Sequence, residues 1–310
     1  MDKVKARPVM RAGVTGAVGL TAATVLWWFY QYVFCRRLGP LSLVMSRKNH
    51  NEEFYRLRAA GGERLRREEN CLRFTQYSPE GLELKGFYYP CGERPCGRIA
   101  FVVHGYHSEH LDTGGMMWDF YRSRGFDLFC CDNRASGESQ GLFYSYDYYE
   151  SGDALRWIDF LRDRFGDDIQ IVLHGFSMGG AIALKMSDRV PPNVRFIVSD
   201  SGFTSGREVL APRLGPLDLP LRLINRLVAG FDLTDTEVRS NLRRTVTPLL
   251  FCHGREDRTV PFPMGRELFA LCPSEKDSLF VDGARHIESY YMAHDAYEAK
   301  LDAFIGRYVR

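Results

Sequence analysis

Residues 169–187 read IQIVLHGFSMGGAIALKMS, and this stretch decides the fold. A continuously apolar run, IQIVL, meets a glycine. A serine follows between two glycines, and then comes the helix-like segment AIALKMS. The apolar run has the character of a parallel strand buried on both faces. Gly175-Phe176-Ser177-Met178-Gly179 therefore lies in a strand–turn–helix context, and the turn has to be very tight. A side chain two residues before or after the serine would collide with neighbouring backbone, which accounts for Gly175 and Gly179. Such a turn exposes the Ser177 hydroxyl. The helix that follows points its first N–H groups at the same place, so the Met178 amide is set to stabilise an oxyanion.

Working outward, similar runs recur at LELKGFYY (82–89), RIAFVVHG (98–105), FDLFCCD (126–132), VRFIVSD (194–200), PLLFCHG (248–254) and DSLFVDG (277–283). Helical patterns fall between them, at 113–124, 147–165, 178–188, 262–271 and 289–308. Strands alternating with helices predict an α/β fold with a mainly parallel sheet, its first strands antiparallel because only turns separate them. Residues 202–246 break the alternation. Their APRLGPLDLPLRLINRLVAG carries too many leucines for a solvated loop and predicts a small helical lid over the ligand crevice.

A serine hydroxyl needs a base. His286, in GARHIES between the last strand and the last helix, is the expected one. His104, His174 and His253 sit at strand ends, His50 in a charged stretch and His294 within the last helical pattern. Asp257, in HGREDRTVP (253–261), is expected to orient the base, with Glu256 and Asp200 as alternatives. Gly105 permits a sharp turn that leaves the Tyr106 amide pointing inward as a second oxyanion donor. An oxyanion loop accounts for the His104/His107/His110 spacing more simply than a metal does, and neither metal nor cofactor is expected.

HGY (104–106), DNRASGES (132–139), HGFSMGG (174–180), HGREDRTVP (253–261) and ARH (284–286) together resemble the α/β-hydrolase superfamily. The set is most similar to the membrane-anchored serine hydrolases of the Bem46-like and YqkD-like group. DNRASGES looks like the D-x-R-x-x-G-x-S element after an early strand in these enzymes. The resemblance covers about residues 71–310 and implies eight strands, a triad in the chain order Ser177, Asp257, His286, and hydrolysis of a small carboxylic ester. A peptidase, thioesterase or acyltransferase using the same triad is the alternative, as is a non-catalytic binding protein on the same fold. The chain departs from the HGGG pattern of lipases, which weakens the case for bulky esters.

The whole chain has 310 residues and a net charge of +2, from 41 Lys+Arg against 39 Asp+Glu. That balance makes no case for nucleic acid as a partner. Its 45% hydrophobic content is that of a globular protein. The average hides residues 12–35, AGVTGAVGLTAATVLWWFYQYVFC, which are 24 positions without a charge. At about 1.5 Å per helical residue they are long enough to cross a hydrocarbon core of roughly 30 Å. Lys3, Lys5, Arg7 and Arg11 precede the run and Arg36 and Arg37 follow, while Trp27, Trp28, Tyr30 and Tyr32 cluster near its end. A single-pass membrane anchor over 1–37 is expected, with a cleaved signal peptide or a buried core helix as alternatives. The leading cations keep the N-terminus inside and put the hydrolase domain on the outer side. Residues 38–70, rich in charges of both signs, read as a solvated, partly helical linker, and 71–310 as the hydrolase domain. Cys130, Cys131 and Cys252 fall in apolar runs and read as buried thiols, whereas Cys91 and Cys96 in PCGERPCG could pair in an oxidising compartment.

Overall fold

A computed structural model describes residues 23–36 and 51–310. Eight strands form one sheet in the order β1-β2-β4-β3-β5-β6-β7-β8. They are β1 Leu72–Tyr77, β2 Glu83–Tyr89, β3 Arg98–Val103, β4 Asp127–Cys131, β5 Gln170–Phe176, β6 Val194–Asp200, β7 Leu249–Gly254 and β8 Lys276–Val281. β2 runs antiparallel to both β1 and β4, and every other pairing is parallel. All seven runs singled out in the sequence are strands. β1 is the addition. As the outermost strand it is mostly exposed and carries no apolar run.

The described helices are α1 (residues 23–34), α2 Glu52–Arg66, α3 His110–Ser123, α4 Glu150–Phe165, α5 Met178–Lys185, α6 Gly206–Leu214, α7 Asp218–Val228, α8 Arg239–Leu242, α9 Phe262–Leu271, α10 Ser289–Met292 and α11 His294–Tyr308. The strand period of two sends alternate residues to opposite faces. Ile99, Phe101 and Val103 of β3 join one core with Trp157 and Leu161 of α4 and Ile182 of α5. Ala100 and Val102 join the other, with Trp118 and Tyr121 of α3 and Leu301 of α11. Helices on both faces are what let the central strands read as unbroken apolar runs. The last helical pattern, expected as one helix over 289–308, is two, parted at Ala293.

Parts of both N-terminal segments pack against the domain. Glu52–Arg66 of the charged stretch is a helix with one buried side, contributing Phe54, Gly61, Gly62 and Leu65. Its two glycines cross α3 at Gly115 with no room for a side chain: a Cβ on Gly61 would lie 2.6 Å from the Gly115 carbonyl oxygen. Of the uncharged run, residues 12–22 lie outside the described residues, as do 37–50 of the flanking stretch. Among the described residues no helix is long and apolar enough to cross a membrane. The final turn of α1 buries Tyr30, Val33 and Phe34 in the core of the α/β domain. Cys35 then forms an isolated antiparallel bridge with Phe143, and the Tyr144 N–H donates to the Phe34 carbonyl at 2.8 Å. Aromatic side chains gain more from this burial than from water, which docks the end of the run onto the domain.

Candidate active site

The turn between β5 and α5 carries the strain its sequence implies. Ser177 has φ 54° and ψ −117°, outside the comfortable range of a residue with a Cβ. A Cβ on Gly175 would overlap the Gly179 carbonyl, and one on Gly179 would overlap the Val103 carbonyl of β3. These two glycines therefore hold strand, turn and helix at closest approach. The Ser177 N–H is committed to the Asp200 carbonyl at 2.8 Å. Met178 is the first residue of α5, so its N–H has no carbonyl partner within the helix.

Two further parallel strands, β7 and β8, deliver Asp257 and His286 from their carboxyl ends. The Ser177 hydroxyl lies 2.8 Å from His286 Nε2. His286 Nδ1 lies 2.7 Å from Asp257 Oδ2. With the ring proton assigned to Nδ1, the serine donates to Nε2 and the imidazole donates to the carboxylate. Asp257 Oδ1 accepts the N–H groups of Thr259 at 2.7 Å and Val260 at 2.9 Å. Burial alone would raise the Asp257 pKa; the charge and hydrogen bonds of His286 and His253 outweigh it and hold the carboxyl well below its usual range. The β7 and β8 loops approach through Gly254, where a Cβ would overlap the Ala284 carbonyl.

The alternatives to Asp257 have other surroundings. Glu256 is exposed. Asp200 is buried and accepts hydrogen bonds from the Ser201 hydroxyl at 2.8 Å and the Tyr297 hydroxyl at 3.0 Å. Burial pushes its pKa up to about 6. Because Tyr297 donates to Asp200, it accepts from His174 Nε2–H at 3.0 Å, and His174 Nδ1 in turn accepts from the Tyr121 hydroxyl at 3.0 Å. Burial pulls the His174 pKa down to about 3, in keeping with this neutral tautomer. The Ser201 hydroxyl also accepts the Ile287 N–H at 3.1 Å, so the network ends beside His286. Ser201 and Tyr297 were not legible as site residues. Both Ser201 (φ 55°) and Ile287 (φ 53°) adopt a left-handed backbone that no local sequence signal announces.

Tyr106 stands in the loop after β3, next to Gly105, whose added Cβ would come 3.2 Å from the Ser177 Cβ. Its hydroxyl donates to the Val33 carbonyl at 2.7 Å, and the Tyr146 hydroxyl donates to the same oxygen at 3.0 Å. The two rings stack at 5.4 Å. The end of α1 is thus bonded to the loop expected to supply an oxyanion donor. A matching tie reaches the base, since Glu288 accepts the N–H of Asn51 at 2.9 Å and that of Arg285 at 3.1 Å. The predicted lid is the three helices α6, α7 and α8 with two short 3-10 segments, Gly215–Leu217 and Leu233–Thr236. Its Arg213 donates to the Arg258 and Thr259 carbonyls beside Asp257, at 3.1 and 2.9 Å.

His104 Nε2 accepts the Asn133 N–H at 2.9 Å, and His110 pairs with Asp132 at 2.9 Å. Both are thereby engaged in holding the DNRASGES turn. Among the described residues, Cys91, Cys96 and Asp127 form the one group with metal-ligand atoms within 4.8 Å of each other. It sits at the amino end of β4, across the sheet from Ser177, and Asp127 already accepts from Tyr88 and two backbone N–H groups. Both cysteines are free thiols.

A family model described as the α/β-hydrolase fold matches residues 102–235. The strand order, the elbow and the match agree. The chain has the α/β-hydrolase fold. It is 24% identical to the uncharacterized protein YqkD of Bacillus subtilis over 242 residues, which cover 75% of this chain and 78% of that one. It is 26% identical to the uncharacterized protein YfhR of Escherichia coli strain K12 over 247 residues, 76% of this chain and 79% of that one. Among solved structures, it superposes on the esterase Pf2001 of Pyrococcus furiosus with a TM-score of 0.64 at 20% identity, covering 77% of this chain and 93% of that one. The chain is thus similar to YqkD-like proteins and has the fold its motifs resemble.

Proposed function

We propose that this α/β-hydrolase is a serine esterase that cleaves a small carboxylic ester through an acyl-enzyme. The observation that carries the reading is the unbroken hydrogen-bonded series Ser177–His286–Asp257 on a strained elbow, with distances of 2.8 and 2.7 Å. Ser177 Oγ attacks the acyl carbonyl while His286 Nε2 takes its proton. Asp257 keeps the second proton on Nδ1 and stabilises the imidazolium. The Tyr106 and Met178 N–H groups receive the charge on the tetrahedral oxygen. His286 then returns the proton to the leaving alcohol, and water, deprotonated by the same histidine, releases the acid. The chemistry asks for no cofactor.

Hydrolysis of p-nitrophenyl esters, compared with aminoacyl p-nitroanilides, tests the reaction. Ester turnover at least about a hundredfold above anilide turnover is expected. The reverse ranking would make the chain a peptidase.

Because Tyr30, Val33 and Phe34 are buried in the domain, the proposed membrane attachment is the part of the uncharged run before them, residues 12–28, with the hydrolase domain on the outer side. Cys96 is exposed and free. In intact cells a membrane-impermeant maleimide is expected to label it, and labelling only after permeabilisation would reverse the orientation.

A further inference from the structure

The amino end of the sheet, opposite the strand ends that carry Ser177, Asp257 and His286, holds a second cluster of reactive side chains. β4 lies between β2 and β3 in the sheet, so the connection from β2 to β3 has to arch over the first residue of β4. That residue is Asp127, and it is fully buried. The Cys91 N–H, at one end of the arch, donates to Oδ1 at 2.8 Å. The Cys96 N–H, at the other end, donates to Oδ2 at 2.9 Å, and the Tyr88 hydroxyl donates to the same oxygen. Both cysteines are thereby brought to one carboxylate, and the three ligand atoms lie within 4.8 Å of one another. Cys91 is half-buried and Cys96 exposed, which opens the cluster to solvent.

Two features single it out. Among the described residues, the hydrogen-bond partners of the Asp127 carboxylate are all neutral donors, so a buried negative charge stands without a cation. A carboxylate offers about four acceptor positions. Three are filled, and the open one is on Oδ1. The thiols add two soft donors beside it. A disulfide between them would leave the carboxylate charge uncompensated, whereas a dication compensates it. Two sulfurs and one oxygen are a donor set for zinc, with solvent as the fourth ligand. Tetrahedral zinc spaces such ligands about 3.5–3.8 Å apart, and rotation of the exposed Cys96 side chain closes the difference. In the thiol state its Sγ sits 3.2 Å from the Arg98 and Gly125 carbonyls. Two cysteines four residues apart are no zinc signature by themselves, and Asp127 reaches them only through the strand order.

We propose that Cys91 Sγ, Cys96 Sγ and Asp127 Oδ1 bind a divalent cation of the zinc type, which clips the β2–β3 connection to the start of β4. Binding displaces both thiol protons to solvent and forms two metal–sulfur bonds and one metal–oxygen bond. The site lies at the far end of the sheet from Ser177, so it serves stability and takes no part in ester cleavage. Bound metal shields Cys96, so maleimide labelling of intact cells is run with a chelator present.

The full chain, kept reduced by a phosphine and stripped of metal by a chelator, is titrated with Co²⁺ and then Zn²⁺. One Co²⁺ per chain with a thiolate-to-metal charge-transfer band is expected, and Zn²⁺ should displace it and abolish the band. Zinc at about a hundred times its Kd should raise the thermal midpoint, read by circular dichroism, by about 5 °C or more. Cys91→Ser/Cys96→Ser should lose the band, and Cys35→Ser/Cys71→Ser should keep it. Asp127→Asn should weaken Zn²⁺ binding at least about tenfold; Cys96→Ser, at an exposed position, should do the same without disturbing the core. A missing charge-transfer band, a band that survives in Cys91→Ser/Cys96→Ser, or full affinity in folded Asp127→Asn overturns the site. So does chain isolated from cells with Cys91 and Cys96 already joined as a disulfide, shown by alkylation before and after reduction.

Discussion

Replacing Asp257 by Asn should inactivate the enzyme without unfolding it, for a reason fixed by three hydrogen bonds. Oδ1 accepts two backbone N–H groups, from Thr259 at 2.7 Å and Val260 at 2.9 Å. In the amide, the carbonyl oxygen must keep that position, because flipping would set the NH2 group against two donors. The NH2 then faces His286 Nδ1, 2.7 Å away in the parent. A donor there forces the ring proton onto Nε2, and Nε2–H points at the Ser177 hydroxyl it should be accepting from. The base is in the wrong tautomer, and the imidazolium loses its counter-charge. Triads disabled this way lose about 10⁴ in kcat, equivalent to about 5.4 kcal/mol of barrier. The assay is kcat/KM on a short p-nitrophenyl ester, with far-UV circular dichroism to check folding. Glu256→Gln, next door but exposed, is the control and should stay within about twofold, as surface changes do. A folded Asp257→Asn enzyme retaining more than about a tenth of parent activity would refute the assignment.

Three further outcomes follow from individual contacts. Tyr106→Phe keeps the oxyanion N–H but removes the 2.7 Å bond to Val33; it should cost about 1 kcal/mol of stability, read by urea unfolding, and lower kcat more than it raises KM. Asp200 is fully buried with a pKa pushed up to about 6, so its folded form holds a proton that the unfolded chain releases from about pH 4. The resulting stability is complete below pH 4 and lost as pH rises to 6, on the order of 3 kcal/mol, and Asp200→Asn should flatten that slope in a urea series from pH 4 to 7. Asp147 combines φ 120° with a buried carboxyl that has no hydrogen-bond partner. Burial raises its pKa well above the usual range, so Asp147→Gly should stabilise by about 1–3 kcal/mol in denaturant melts, more at pH 8 than at pH 5.

The parts of the site legible in sequence are those that local chemistry dictates. Gly175 and Gly179 flank Ser177 because the elbow has no space for a Cβ, and that demand is written into one short stretch. Asp257 and His286 were readable because each follows a strand run directly. β1 was not, since an exposed edge strand lacks the apolar run that marked the others. The contacts of α1 and α2 were hidden for a different reason. Tyr30 and Phe34 in an uncharged run look the same whether lipid or a protein core covers them, and the Gly61–Gly115 crossing pairs glycines far apart in the chain. The Ser201–Asp200–Tyr297 network is likewise assembled from β6 and α11, so no single motif contains it.

The central claim is that Ser177 is the nucleophile. Intact-protein mass spectrometry after treatment with a fluorophosphonate tests it most directly. One adduct is expected, located by peptide mapping on Ser177 and absent from Ser177→Ala. An unmodified parent protein, or equal labelling of the Ser177→Ala variant, would contradict it.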